Sequence, residues 1–253
     1  MHNFGKCREK FCHPGGRVVC MLIDAIRSIM RGQGVDLPSL LMQLLATAAI
    51  LFLILPLHEY AHGLVAYKLG DQTAKRYGRL TLNPLASLDP MGTLGIVLFG
   101  IGWAKPVPVN PMNFRNPKRD MAITALAGPV SNILAAFVGA FLYNLLFCFA
   151  AVIPGNVLIV LNVFFYYYIS INLSLAVFNL LPAPPLDGSR IVAAFLPNRM
   201  AYQYYRYERY IVLILFALLF IGALDPVLSF LHGHFWNAVM WLASLPFEAL
   251  GLL

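Results

Sequence analysis

Charge is what this chain has least of. Only 11% of its 253 residues are Asp, Glu, Lys or Arg, against 60% hydrophobic. A soluble domain carries about 25% charged and about 45–50% apolar residues, so this composition cannot clothe a water-exposed surface. Disordered, fibrous and disulfide-framework classes are excluded with it. The charge that exists is also missing from long stretches. No Lys or Arg lies between Asp120 and Ser189, and none follows Arg209. Cysteine is sparse as well: Cys7, Cys12 and Cys20 beside His13 match no common zinc-finger spacing, and Cys148 sits in an apolar run as a small hydrophobe. No internal repeat is present, and no cleavable signal peptide is expected, because Val18 to Ile23 is short and lacks a small-residue cleavage site.

What is there is a set of long apolar tracts. Residues 37–69, 123–153, 157–181 and 210–231 each approach or exceed the roughly 20 residues that a spanning helix needs. They are continuous, which disfavours the alternating segments of about ten residues found in a transmembrane β-barrel. Trp236 to Leu253 reads as an interfacial or re-entrant piece, and Met91 to Trp103 as a short apolar dip. The fold class expected is an all-α polytopic membrane protein with about four to six membrane segments. Between the first two core spans, Arg79-Leu80-Thr81-Leu82-Asn83 alternates polar and apolar, and Lys105-Pro106-Val107-Pro108-Val109-Asn110 reads as an extended edge. Together they predict a small membrane-surface β element. The expected organisation is a basic N-terminal segment over 1–36, a core over 37–209, and a C-terminal helix with an interfacial segment over 210–253.

The net charge of +7 does not point to nucleic acid. Of 18 Lys and Arg, six lie in 1–36, four in 68–79, four in 105–119 and four in 190–209. Cations gathered between apolar runs follow the positive-inside pattern. They place the loops after the first and third spans in the cytoplasm of a multi-pass cell-membrane protein. Residues 1–36 then fall outside, in conflict with their own charge, but the opposite orientation exposes twice as many cations.

Ionisable groups inside an apolar tract are costly, about 2.5–3.5 kcal/mol for an Asp or Lys at a helix centre on insertion scales. The first tract nonetheless contains His58-Glu59-Tyr60-Ala61-His62. Helix positions four apart differ by about 40° of rotation, so His58 and His62 share a face and suit one zinc ion. Glu59, adjacent, is placed to act as general base on a zinc-activated water. A third ligand is needed, and the carboxylates near enough in the pattern are Asp187, Asp225 and Asp89. Asp187 is the best placed, because the third span brings it to the depth of the histidines and its Pro-rich lead-in breaks the helix.

These residues resemble the site-2 protease family of intramembrane zinc metalloproteases. The resemblance rests on His58-Glu59-x-x-His62, on Gly128-Pro129-Val130-Ser131-Asn132 at the opening of the second span, and on Pro184-Pro185-Leu186-Asp187-Gly188 after the third. Gly102 to Pro111 and Asn113 to Pro117 fit the same pattern. It covers roughly residues 50–200 in unbroken order and is similar to the compact bacterial branch without PDZ or CBS domains. Ser189 stands where many members have a second Gly, and Ser87 where a His is expected.

The resemblance implies hydrolysis of peptide bonds in or near transmembrane segments of protein or peptide substrates, within the lipid bilayer of the bacterial cytoplasmic membrane. It implies one zinc ion on His58, His62 and Asp187, and an active site nearer the cytoplasmic side. Glu59 would move the proton, Asn132 would bind the substrate backbone or the developing oxyanion, and Gly128 would allow close substrate approach. The 79–83 and 105–110 stretches would offer an edge for strand addition. Two other readings compete: an ion transporter using the same polar residues, and a catalytically silent homologue that binds membrane peptides.

Overall fold

The computed structural model describes residue 45, residues 48–99 and residues 104–251. The basic segment 1–36 and the first part of the 37–69 tract lie outside the described residues. Among the described residues every regular element is helical. A π-helical turn, Ile50–Ile54, runs into α1, Leu55–Lys68. The short helices α2, Thr73–Arg76, and α3, Pro84–Ser87, precede α4, Pro90–Phe99. After a 3-10 turn at Pro111–Asn113 come α5, Pro117–Cys148, and α6, Gly155–Asn179. The chain ends with α7, Asp187–Phe195, α8, Asn198–Arg206, α9, Glu208–Phe220, and α10, Asp225–Ala249.

Helices α5 and α6 are long and apolar enough to cross a membrane. At about 1.5 Å per residue α5 is about 48 Å long, more than the roughly 30 Å of hydrocarbon, so its ends reach into the interface. Its start is marked in the sequence. Pro117 at the first turn is preset for a helix, and the Asp120 carboxylate accepts the Asn116 backbone N–H at 3.0 Å, closing that turn. Small residues let the helices approach. Ala136 and Ala140 of α5, Ile169 and Leu173 of α6, and Val239 and Ala243 of α10 form one buried cluster. A Cβ on Gly139 would come within 2.8 Å of the Tyr168 ring, so α5 and α6 meet there only because that position is glycine.

Two expectations are corrected. The fourth tract, 210–231, breaks beside its Asp225-Pro226 interruption into two helices, and the second of them runs well past 231. Gly222 adopts φ 73° and ends α9, and Pro226 in the first turn of α10 starts the next helix. The segment read as a separate interfacial piece after Trp236 continues α10, which packs on α5 and α6. Nor do 79–83 and 105–110 pair as strands among the described residues. Pro106 and Pro108 have no N–H to give a ladder. The Arg79 side chain bridges the two stretches instead, donating to the carbonyls of Ala86, Lys105 and Pro106, while Lys105 N–H bonds the Ser87 carbonyl at 2.9 Å.

Candidate metal centre

Helices α1, α5 and α7 build one buried cluster. The helical spacing of His58 and His62 puts both rings on the side of α1 that packs against α5, and both residues are buried. The His62 Nδ1–H donates to the Thr124 carbonyl of α5 at 2.7 Å. That bond fixes the tautomer and leaves the Nε2 lone pair facing away from Thr124. The two Nε2 atoms lie 3.0 Å apart. Asp187, in the first turn of α7, brings Oδ2 to 3.3 Å from His58 Nε2 and 3.2 Å from His62 Nε2.

Asp187 arrives there through a tight turn. Helix α6 stops at Asn179, and the Pro-rich stretch 180–186 leads into α7. A Cβ on Gly188 would overlap the carbonyls of Leu180 and Leu181, so the start of α7 folds back against the end of α6 only with glycine there. Gly128 has a related role on the α5 side. A Cβ at that position would overlap Nε2 of both histidines. Its lack of a side chain gives the imidazoles their space.

Three potential ligand atoms therefore converge on one point, and the Thr124 bond makes His62 Nε2 an electron-pair donor. Asp187 Oδ2 and His58 Nδ1 are buried without a hydrogen-bond partner among the described residues. A cation at the point of convergence would satisfy all three atoms at once. A tetrahedral ion with bonds of about 2.0–2.1 Å sets its ligand atoms about 3.3 Å apart, which these separations approach. The donor set, two imidazoles and one carboxylate, suits zinc and leaves a fourth position open. The other carboxylates weighed as ligands are used elsewhere. Asp89 Oδ1 accepts the Gly92 N–H at 2.8 Å at the start of α4, and Asp225 opens α10.

Glu59 is half-buried on α1, and its Oε2 accepts the Val107 backbone N–H at 2.9 Å. The extended stretch 105–110 is thus laid across α1, with Val107 buried and a Cβ on Gly63 reaching 3.3 Å from Val107 Cγ1. The far end of this stretch is held by Asp71. Its carboxylate accepts from Asn110 N–H at 2.7 Å, Asn113 Nδ2 at 2.7 Å and Thr73 N–H at 3.0 Å. Burial pushes the Asp71 carboxyl up, but the bonds from Asn113, Thr73 and Asn110 prevail and hold it below the usual carboxylate range. Asn132, one turn beyond Gly128 on α5, is fully buried, and neither its amide oxygen nor its nitrogen has a partner among the described residues.

The sequence patterns did not reveal Thr124, Val107 or Asp71. Two act through backbone groups, which leave no residue signature, and Asp71 looks in sequence like any loop carboxylate.

Residues 46–222 match peptidase family M50. A Bacillus subtilis (strain 168) protein with the provisional name zinc metalloprotease YwhC is 45% identical over 168 residues, which cover 66% of this chain and 76% of that protein. A Mycobacterium tuberculosis (strain H37Rv) protein, provisionally named zinc metalloprotease Rip2, is 30% identical over 195 residues, 75% of this chain and 69% of that one. A Methanocaldococcus jannaschii protein, provisionally zinc metalloprotease MJ0611, is 34% identical over 138 residues, 53% of this chain and 62% of that one. No solved structure matches the chain.

Proposed function

The chain belongs to peptidase family M50, and from that premise we propose that it is an intramembrane zinc endopeptidase that cuts membrane-protein substrates in or near their transmembrane segments. The observation that carries this reading is the convergence of His58 Nε2, His62 Nε2 and Asp187 Oδ2 within 3.0–3.3 Å of one another, with Glu59 next to His58 on the same helix.

His58, His62 and Asp187 would hold the zinc, and Thr124 would orient His62 through its carbonyl. Zinc, when bound, supplies a Lewis acid and makes water a nucleophile near neutral pH. Glu59 takes the proton from the attacking water on a carboxylate oxygen and delivers it to the leaving amine. The Val107 N–H holds Oε2 of that carboxylate, so Oε1 is the oxygen left for the proton. The Asn132 amide, buried and unpartnered among the described residues, donates to the substrate carbonyl as negative charge develops there. Gly128 keeps the approach to the imidazoles clear.

A peptide bond inside a membrane helix is shielded by its own hydrogen bonds and by the absence of water. Substrate must therefore be unwound before Glu59 and Asn132 can act on it. The lysines and arginines of the 68–79, 105–119 and 190–209 stretches favour an active site nearer the cytoplasmic face of the bacterial membrane.

The test combines zinc content with turnover. Purified protein should carry near one zinc per chain, and His58→Ala, His62→Ala and Asp187→Ala should each lose it. Glu59→Gln should retain zinc and lose cleavage of a membrane-embedded peptide. Full zinc in the Asp187 variant would exclude it as a ligand, and cleavage by Glu59→Gln would exclude the base.

A further inference from the structure

A second polar site lies away from the metal cluster, where α1 ends and α5 begins. A cavity of about 260 Å³ is lined by Lys68, Leu69 and Gly70 from the end of α1 and by Arg115, Arg119 and Asp120 from the start of α5. Three cations thus face one carboxylate, and that carboxylate is already engaged. Asp120 is buried, with Oδ1 on Arg119 Nε at 3.0 Å and Oδ2 on the Asn116 N–H at 3.0 Å. The bond through Nε steadies the Arg119 guanidinium and leaves its two terminal nitrogens pointing their hydrogens elsewhere, a fork suited to two oxygens of one phosphate. The Arg119 side chain is 65% exposed, and Lys68 and Arg115 are exposed. The positive end of α5 adds to the field.

The same face of α5 then changes character abruptly. Arg119, Ile123, Leu126 and Val130 follow one another at spacings of four, three and four, which places them within about 60° of rotation. Beyond the arginine this face is apolar. Ile123 is 41% exposed, Leu126 37% and Val130 46%, and Leu134 carries the stripe on at 59%. The described residues leave the stripe uncovered, while Thr124, Ala125, Gly128 and Asn132 on the opposite side of the helix are buried in the protein. A cationic cavity at the foot of a lipid-length apolar stripe has the polarity profile of a phospholipid read from headgroup to acyl chain.

We propose that this cavity is a binding site for an anionic phospholipid, with the phosphate held by Lys68, Arg115 and Arg119 and an acyl chain lying along Ile123, Leu126 and Val130. The site joins the end of the helix that carries His58 and Glu59 to the start of the helix that carries Gly128 and Asn132. A headgroup bound there would brace the two helices against each other. The assignment does not depend on zinc or on proteolysis.

The test is native mass spectrometry of the full chain in detergent, with phosphatidylglycerol and phosphatidylcholine of identical acyl chains offered at equal concentration. The protein should retain phosphatidylglycerol preferentially, by about fivefold for each engaged cation. Lys68→Gln with Arg115→Gln should cut the preference about 25-fold, and Arg206→Gln with Arg209→Gln, on a different basic stretch, should keep it. Where the double variant does not fold, Arg115→Glu alone serves, with the same expected loss. Millimolar inorganic phosphate should leave the lipid in place, because the acyl contacts remain. Displacement by phosphate would make this a site for the free anion and overturn the lipid assignment. Equal retention of both lipids, or a preference untouched by the Lys68 and Arg115 changes, would overturn the site itself.

Discussion

The backbone N–H of Val107 donates to Oε2 of Glu59 at 2.9 Å. Pro106 and Pro108 flank that residue, so it carries the lone backbone donor of the triplet. The stretch that presents it is pinned at both ends: Arg79 holds the carbonyls of Lys105 and Pro106, and Asp71 holds Asn110 and Asn113. A candidate proton carrier is thereby oriented by a main-chain group that, among substitutions at position 107, only proline removes.

Val107→Pro removes that donor, and Val107→Ala keeps it while trimming the buried side chain. A hydrogen bond to a charged group is worth about 1.5–3 kcal/mol, which corresponds to about 10–100-fold in rate if it acts on the reacting carboxylate. The proline variant should lose that much kcat with KM and zinc content near unchanged. The alanine variant should lose little kcat. Equal losses in the two would assign Val107 to packing alone.

Gly128→Ala places a Cβ against Nε2 of both His58 and His62. The His62 ring cannot retreat freely, since it is tied to Thr124. Zinc content measured on purified protein should fall well below one per chain, although no ligand has been changed. Undiminished zinc would show that α5 shifts to absorb the methyl.

Asn132 buries an amide with no partner among the described residues, a cost of about 1–3 kcal/mol to the resting fold. Asn132→Leu should therefore leave the thermal midpoint in detergent unchanged or raise it, while turnover drops about 10²–10³-fold, as for loss of an oxyanion donor. A variant that is both less stable and less active would point instead to interhelical packing.

Asp71 predicts a pH dependence of stability. Its carboxyl is held below its unfolded value, so the stabilisation is complete above the ordinary carboxylate range and is lost as pH falls through the folded value. Asp71→Asn should lower stability by about 1–3 kcal/mol at pH 7, and the gap from the unmodified protein should narrow on acidification below pH 4. A constant gap from pH 7 to pH 3 would mean that the charge of Asp71 plays no part.

Much of the candidate metal site was legible in the residues themselves. Helical periodicity alone puts His58 and His62 on one face, and an apolar setting makes such residues expensive enough to demand a purpose. The tracts that became α5 and α6 were equally legible, because continuous apolar sequence of that length has few other outcomes. The choice of Asp187 over Asp89 and Asp225 was ordered by argument in the sequence and carried further by geometry.

The rest waited for the tertiary structure, for reasons of distance and chemistry. Thr124 lies 62 residues from His62, and Val107 lies 48 from Glu59, and each contributes a backbone atom that every residue type possesses. The strand alternation at 79–83 was a real pattern, but a ladder needs a partner with N–H groups, and the stretch it meets begins Lys105-Pro106-Val107-Pro108. Local periodicity determined which side chains point together along a helix. Only packing decided which backbone groups and glycines close the space around them.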